Sequence, residues 1–194
     1  MTERISFTQE DCSETGYAMS IAGRVIVLKQ SSLPEKCQNS SHQLYFCSGG
    51  NGSNSNPIGR SVFTVSLADG ERIRWNRSDV LGILKPHLLP DSARLHLSQI
   101  RPFGVVDQRE AEPKYSGYSF LPDGRYSAGV WLADEKEAME YIEMQKDYQH
   151  RVMICDRNDF CVFEMLKGKV IYPSQEVIDK FLLGQQDGGM NIKL

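Results

Sequence analysis

Short apolar runs separated by turn signals constrain the fold of this chain more than any other feature of its sequence. Ala22-Gly23 and Asp69-Gly70 separate neighbouring runs, and such pairs are typical of tight hairpin turns. Because hairpins join antiparallel strands, the pattern predicts a β-meander whose first hairpin turns at residues 22–23. The strand-like runs in this part of the chain are 17–21, 24–29, 43–47, 61–67 and 71–75.

The second half of the chain shows the same alternation of strands and turns around one clear helix. Asp134 and the acidic residues that follow it suit the positive end of a helix dipole. Ala138, Tyr141 and Ile142 then form the apolar stripe of a packed helix. Ser174 is predicted to cap a last helix, with apolar positions at Val177, Ile178, Phe181 and Leu182. The strand-like runs are 115–120, 127–132, 151–155, 160–166 and 170–172.

Two short helices are predicted near the end of the first half. Asn76 or Ser78 can cap the first of them, which Pro86 ends. Its apolar positions fall on one face and are Val80, Leu81 and Leu84. Asp91 is predicted to cap the second helix, and Pro102 closes it.

A polar segment without apolar periodicity, residues 107–114, separates the two halves and indicates a linker. Residues 1–105 carry eleven basic and nine acidic residues, whereas residues 106–194 carry eleven and sixteen. We therefore predict an α+β protein of two small units, each a mainly antiparallel sheet with one or two packed helices. The predicted parts are a β-meander unit with a Gly-rich loop and two short helices (1–105), a linker (106–113), a second α+β unit (114–185) and a flexible tail (186–194).

Composition places the chain among ordinary globular proteins. Hydrophobic residues make up 40% and charged residues 24% of the 194 positions, which excludes collagen-like and disordered classes. No apolar run is long enough to span a bilayer, and the N-terminal residues lack the apolar core of a secretory signal. We therefore expect a soluble, cytoplasmic protein without a membrane partner.

The five cysteines are an odd number without a secretory context, which favours free thiols over a disulfide framework. Their spacings do not match the paired arms of a structural zinc site, although Cys37, His42 and Cys47 form an alternative ligand set. The sequence contains no nucleotide-binding, zinc-protease or nucleophile-elbow motif. We therefore expect neither a metal nor a cofactor.

A loop rich in Gly, Asn and Ser, residues 48–60, is the most unusual segment of the chain. Loops of this length between neighbouring strands tend to be functional or disordered. Consecutive backbone N–H groups can converge on an anion, and an arginine at the loop exit can supply a positive charge. A mobile surface loop is the alternative interpretation. The candidate binding residues are Gly49, Gly50, Asn51, Gly52 and Arg60.

Three arginines surround a tryptophan in the strand-like run that follows. Alternation places Arg72 and Arg74 on one face of the strand and Trp75 on the other. Basic residues beside an aromatic ring can hold a phosphate backbone or an acidic protein surface. Residues 60–101 carry seven basic and four acidic residues, which is a small excess for a nucleic-acid-binding protein, and a solvated strand face is the alternative. The candidate set is Arg72, Arg74, Trp75, Arg77 and Asp79.

Two further features allow chemical or binding roles. Cys47 can act as a nucleophile, with Asp79 to orient a histidine base; a buried strand cysteine is the alternative. The candidate bases are His42, His87 and His96. The acidic helix that begins at Asp134 can dock a basic partner or mimic nucleic-acid charge, but charged outer faces are common in amphipathic helices.

Several short stretches within residues 44–100 resemble a small module found in proteins of conjugative elements and phages, including large polyvalent proteins. The resemblance covers about a third of the chain and does not extend to the second unit. It assigns no activity to any residue. It implies an accessory role in transfer, replication or evasion of host defences. The stretches are 45–52, 59–63, 69–71, 74–86 and 88–90.

These observations support three hypotheses about function. The first is a non-enzymatic accessory protein of a mobile genetic element that binds a host or element-encoded protein. The second is a nucleic-acid-binding module that uses the arginine face. The third, a Cys-dependent enzyme, has the least support because the sequence contains no local catalytic signature.

Overall fold

The computed structural model describes residues 6–102 and 112–173. The chain divides into two compact units, unit 1 (Met1–Phe103) and unit 2 (Gly104–Leu194). Unit 1 is built on a six-stranded sheet and unit 2 on a five-stranded sheet. Each described unit also contains one α-helix, so the fold is mixed α+β and the sheets dominate it.

The sheet of unit 1 is antiparallel throughout, with strand order β1-β6-β2-β3-β4-β5. Strands β2 to β5 pair with their neighbours along the chain and form the expected meander. The chain then returns across the sheet, so that β6 lies between β1 and β2. The strands are β1 (Cys12–Thr15), β2 (Val25–Leu28), β3 (Leu44–Gly49), β4 (Ser61–Ser66), β5 (Arg72–Asn76) and β6 (Val80–Leu84).

The prediction of a helix that contains Val80, Leu81 and Leu84 is wrong, because these residues form the strand β6. Val80–Leu84 is an interior strand whose residues are mostly buried. An added Cβ at Gly82 would lie 2.5 Å from the Glu14 carbonyl oxygen, so β1 and β6 approach closely there. A short apolar run fits a helix and a buried strand equally well, and its distant partners decide between them. Asn76 does cap a turn, but that turn is the short 3-10 segment Arg77–Asp79.

The predicted strand over residues 17–21 is also wrong. This segment forms bends, and its Met19 and Ile21 side chains are buried in the core. The Ile21 N–H donates to the Ser53 carbonyl over 2.8 Å, so the segment is fixed to the Gly-rich loop. Instead of forming a hairpin with residues 17–21, β2 pairs with β3 and β6.

Both faces of the central strands of unit 1 are buried. Ile26, Tyr45 and Ile83 belong to one apolar cluster, and the alternate residues Val27 and Phe46 are buried as well. The helix α1 (Asp91–Ser98) contributes buried Ala93 and Leu97 side chains. Asp91, which the sequence predicts as the cap, is instead its first helical residue, and Pro90 occupies the cap position. This helix is the one α-helix in residues 6–102.

The sheet of unit 2 is antiparallel, with strand order β11-β10-β9-β7-β8. The helix α2 (Glu135–Gln145) connects β8 to β9 and packs on β7, β8 and β9. The strands are β7 (Tyr115–Phe120), β8 (Val130–Leu132), β9 (Arg151–Asp156), β10 (Cys161–Leu166) and β11 (Lys169–Tyr172).

The predicted apolar stripe of α2 is confirmed. Its Tyr141 ring lies over Gly117, where an added Cβ would be 2.7 Å from a ring carbon. The Tyr141 hydroxyl hydrogen-bonds the Ser119 hydroxyl over 2.9 Å, so its polar end is satisfied inside the core. Asp134 caps the helix by accepting a hydrogen bond from the Glu137 N–H.

Three predicted features fall wholly or largely outside the described residues: the linker 106–113, the last helix from Ser174 and the tail 186–194. Neither α1 nor α2 is long and apolar enough to cross a membrane, and the described residues contain no other α-helix.

We predict that limited proteolysis of the full chain cuts first within residues 106–113. The reason is that a polar segment without apolar periodicity joins two units that each have their own sheet. Mass spectrometry of the early fragments identifies the cut. Early cleavage within β-strands of either unit would contradict the division and indicate one intertwined domain.

Candidate functional site

The edge of unit 1 formed by β5 carries two of the predicted site arginines. Arg72 and Arg74 are exposed, whereas Ile73 and Trp75 between and after them are partly buried. Trp75 packs on the main apolar cluster of the unit and meets the Tyr45 ring edge to face, with centroids 5.6 Å apart. The predicted division of the strand into two faces is confirmed. The tryptophan therefore belongs to the core side of the strand.

The outer face of β4 adds an aromatic side chain to this edge. Phe63 lies opposite Arg74 in the strand register and is 50% exposed. Ser48 of β3 fixes the local backbone, because its hydroxyl donates to the Phe63 carbonyl over 3.0 Å. An exposed aromatic beside an arginine is the composition that protein interfaces favour.

The free side of β5 presents backbone hydrogen-bonding groups. The backbone N–H of Ser66 donates to the Glu71 carbonyl, and the backbone N–H of Arg77 donates to the Arg60 carbonyl, each over 2.8 Å. These two bonds show which residue pairs of the β4–β5 ladder are hydrogen-bonded. The residues between them alternate, so the N–H and C=O groups of Arg74 point away from β4. Within the described part of unit 1, β5 ends the sheet. We call this surface, formed by Phe63, Arg72 and Arg74 with the outer side of β5, the arginine edge.

A groove of about 420 Å³ adjoins the arginine edge where the end of α1 meets the β4–β5 turn. The His96 ring donates Nδ1–H to the Leu67 carbonyl over 2.6 Å, which fixes the tautomer and leaves Nε2 as the other polar atom. Two arginines and this histidine line the groove with one acid, Asp69. The Glu71 N–H and the Ser66 hydroxyl donate to the Asp69 carboxylate and lower its pKa, so Asp69 is ionised at neutral pH. The charged or titratable lining residues are Asp69, Arg72, His96 and Arg101.

Arg77 does not lie on the arginine edge, and its inclusion with Arg72 and Arg74 on an exposed face is a wrong expectation. Its side chain is 2% exposed and donates to four backbone carbonyls. One amino group reaches Gly52 over 3.3 Å, and the other reaches three carbonyls in the segment before β2. Burial lowers the pKa of the guanidinium. Those three acceptors are Gly16 at 3.3 Å, Tyr17 at 3.2 Å and Met19 at 2.7 Å.

The turn that begins at Asn76 holds Arg77 on the core side of the sheet, where strand alternation also places Trp75. The Asp79 carboxylate accepts from the Asn76 N–H over 2.9 Å, and the Asn76 side chain accepts from the Ser78 N–H over 3.1 Å. Asp79 also accepts from the Ser32 hydroxyl over 3.0 Å. This capping box follows directly on β5, which ends at Asn76. Asp79 is therefore engaged in shaping the turn by its bonds with Asn76 and Ser32, and the spacing of Asn76 and Asp79 is the sequence signal for it.

The Gly-rich loop is cross-linked by its own backbone. The Gly52 N–H donates to the Ser61 carbonyl over 2.9 Å, and the Ser53 N–H donates to the Gly50 carbonyl over 3.1 Å. The Asn51 side chain accepts from the Ser61 N–H over 2.9 Å. Two of the N–H groups needed for an anion cradle are thus used within the loop. Arg60 is exposed at the loop exit.

Gly50 allows this loop to close. Its φ is +109°, and an added Cβ would lie 2.3 Å from the Ser61 carbonyl oxygen. Only glycine adopts this conformation at such a close approach without a shift of the backbone. The sequence signal for the loop is its pair of consecutive glycines, although the sequence does not show that the second one faces β4.

The proposed nucleophile Cys47 is fully buried in the main apolar cluster. Desolvation raises the pKa of its thiol to about 11, so the thiolate is scarce at neutral pH. His96 is bound to Leu67, and His42 contacts the Asn39 side chain over 2.8 Å. Among the described residues, no group of three or more His, Cys, Asp or Glu side chains could hold a metal ion.

No protein-family model matches this chain, and comparisons with the curated proteins and with the solved structures each give no match.

We predict that Arg77→Ala destabilises unit 1 by about 3 kcal/mol, because it leaves four backbone carbonyls without their donor, two of them in buried hydrogen bonds. Arg74→Ala, an exposed change on the same chain segment, is the control and should alter the free energy of unfolding by less than about 0.5 kcal/mol. Urea unfolding followed by fluorescence measures both, in a Trp131→Phe background so that Trp75 alone reports on unit 1. Equal stability of the two variants would contradict the assigned role.

Gly50→Ala and Gly70→Ala give a second matched pair. Both glycines have positive φ, but an added Cβ at Gly70 meets nothing within 4 Å. We expect Gly70→Ala to cost about 1–2 kcal/mol for the left-handed backbone alone. Gly50→Ala should cost more, because the clash with Ser61 adds to the same strain. The same urea experiment compares them, and equal losses would show that the close approach is not maintained.

Proposed function

We propose that this chain is a non-enzymatic binding protein whose arginine edge binds an acidic, extended segment of a partner protein. The observation that carries the proposal is the combination, on one sheet edge, of outward-pointing backbone groups at Arg74 with two exposed arginines and the exposed Phe63. An extended segment can add to such an edge as a further strand.

The chemistry of the edge favours acidic side chains in the partner. A strand added beside β5 places alternate side chains on the face that carries Arg72 and Arg74. Carboxylates there meet guanidinium groups, which offer paired donors, while the Phe63 ring supplies an apolar contact. Rim charges of this kind act mainly on the association rate and on the choice of partner.

Nucleic-acid binding is the second candidate. Exposed arginines with an aromatic ring can hold a phosphate backbone and stack a base, and Phe63 is in a position to stack. Two observations count against it. The Trp75 ring is on the core side of the strand, and Arg77 is occupied inside the fold, so fewer cationic and aromatic groups face solvent than the sequence pattern suggests.

The biological setting is supported by sequence resemblance alone. Residues 44–100, which include the arginine edge, resemble the module of conjugative-element and phage proteins described above. We propose on that basis that the chain is an accessory protein of a mobile genetic element and that its partner is a host or element-encoded protein, with host defence as one target. The Cys-dependent enzyme has the least support, because the buried Cys47 thiol has a raised pKa.

Charge reversal tests the arginine edge. We predict that Arg72→Glu/Arg74→Glu, immobilised and exposed to lysate of the native host, loses at least tenfold of any protein captured by the wild type. Lys29→Glu/Lys36→Glu makes the same charge change at exposed positions of the same unit and should retain capture. Quantitative mass spectrometry compares the three baits. Equal capture by both double variants would exclude the arginine edge.

Fluorescence anisotropy with labelled 20-nucleotide single-stranded and duplex DNA and RNA separates the two candidates. We expect no binding at 0.15 M salt. Binding that weakens steeply with salt and disappears in Arg72→Glu/Arg74→Glu would replace the protein-binding proposal with the nucleic-acid one.

A further inference from the structure

Cys155 and Cys161 face each other across the hairpin formed by β9 and β10. They are direct partners in the strand register, so their side chains lie on the same face of the sheet. Both thiols are free in this structure. Cys155 is buried, whereas Cys161 is partly exposed. The sequence spacing of these two cysteines matches no disulfide or metal pattern, so only the register reveals the pair.

The type of strand pairing makes the two sulfur atoms suited to a covalent bond. The Asp156 N–H donates to the Phe160 carbonyl over 2.9 Å, which marks Asp156 and Phe160 as a hydrogen-bonded pair. Pairs alternate along an antiparallel ladder, so the next pair, Cys155 and Cys161, is a non-hydrogen-bonded one, and the register of the ladder shifts only after it, between Cys161 and Phe163. The Cα atoms of such pairs are about 4.5 Å apart, within the range that a disulfide spans.

The electrostatics of the pair agree with this proximity. Burial raises the pKa of Cys155, and the neighbouring Cys161 raises it further, ahead of the acids Asp159 and Asp156. Burial also raises the pKa of Cys161, and the Glu164 carboxylate adds to the effect, while Arg151 opposes it. Both thiols are therefore protonated at neutral pH, and their reaction rate should increase with pH.

We propose that Cys155 and Cys161 form a reversible cross-strand disulfide that closes the β9–β10 hairpin of unit 2. The oxidant is a low-molecular-weight disulfide such as oxidised glutathione. The partly exposed Cys161 loses its proton, attacks one glutathione sulfur and releases the first glutathione thiolate. Cys155 then loses its proton, attacks the Cys161 sulfur of this mixed disulfide and releases the second. Two protein thiols together lose two electrons, one glutathione disulfide is reduced, and the two protons pass to the two released glutathione thiolates.

The site is distinct from the arginine edge, which belongs to unit 1, and does not depend on the proposed binding function. In a reducing compartment such a bond is transient and forms when the thiol pool becomes oxidised. It would fix the loop 156–160, whose Phe160 side chain is 69% exposed, relative to both strands. The pair is thus a modification site that responds to the redox state around the protein.

Tryptic peptide mapping tests the proposal directly, because Arg157 lies between the two cysteines. The native full chain is incubated with oxidised glutathione at pH 8, free thiols are alkylated, and the protein is denatured, alkylated again and digested. We expect residues 152–157 and 158–167 to appear as one disulfide-linked pair of peptides that separates on reduction. The buried Cys12 and Cys47 are the internal controls and should be recovered alkylated.

Two further measurements keep the test decisive. Cys155→Ser should stop the reaction at a mixed disulfide with glutathione on Cys161, and the wild-type rate should rise about tenfold from pH 7 to pH 8. The oxidised protein should also show a higher urea midpoint for unit 2, followed by Trp131 fluorescence in a Trp75→Phe background. Three results would each overturn the proposal. They are full alkylation of Cys155 and Cys161 after oxidation, a lasting mixed disulfide on Cys161 in the wild type, and a disulfide between two chains.

Discussion

The buried Arg77 guanidinium is the interaction on which the rest of unit 1 depends. It joins the segment before β2 to the Gly-rich loop by donating to carbonyls at Gly16, Tyr17, Met19 and Gly52. A buried cation costs several kcal/mol of desolvation unless its donors are satisfied. Four backbone carbonyls in the two segments accept from it. Unfolding of either segment would therefore remove acceptors and leave the buried cation partly unsatisfied. This explains why a loop rich in Gly, Asn and Ser packs as part of the fold.

The sequence allowed the meander β2 to β5 and the stripe of α2 to be predicted, because both follow from local periodicity and turn residues such as Asp69-Gly70. It did not allow prediction of β6, since Val80–Leu84 is too short for periodicity to separate helix from strand. The segment 17–21 was misassigned for a related reason. The partner of its Ile21 N–H is Ser53, far along the chain, and no local pattern contains that contact.

The candidate site, from Arg72 to Arg77, also shows how far local patterns predict the position of a side chain. Alternation placed Arg72, Arg74 and Trp75 correctly, because all three lie inside one regular strand. The expectation failed at Arg77, which was grouped with the other two arginines by charge, although alternation puts it on the side of Trp75 and it is buried there. Counting arginines along a sequence therefore overstates the charge of a surface when they alternate between its faces. The carbonyls that Arg77 binds, at Gly16 and Gly52 among others, lie far along the chain, and no local pattern contains those contacts.

The buried Arg77 and the exposed Arg72 and Arg74 are nevertheless connected through the β4–β5 ladder. The Arg77 N–H donates to the Arg60 carbonyl and so continues the β4–β5 ladder by one hydrogen-bonded pair beyond the strands. That pair fixes which backbone groups of β5 point inward, and hence that the N–H and C=O of Arg74 point outward. A slip of this end of the ladder by one residue would bring Arg72 and Arg74 to the core side. It would also break the hydrogen bonds of the Arg77 side chain to four backbone carbonyls, which opposes the slip. The buried Arg77 therefore helps to fix the orientation of the arginine edge.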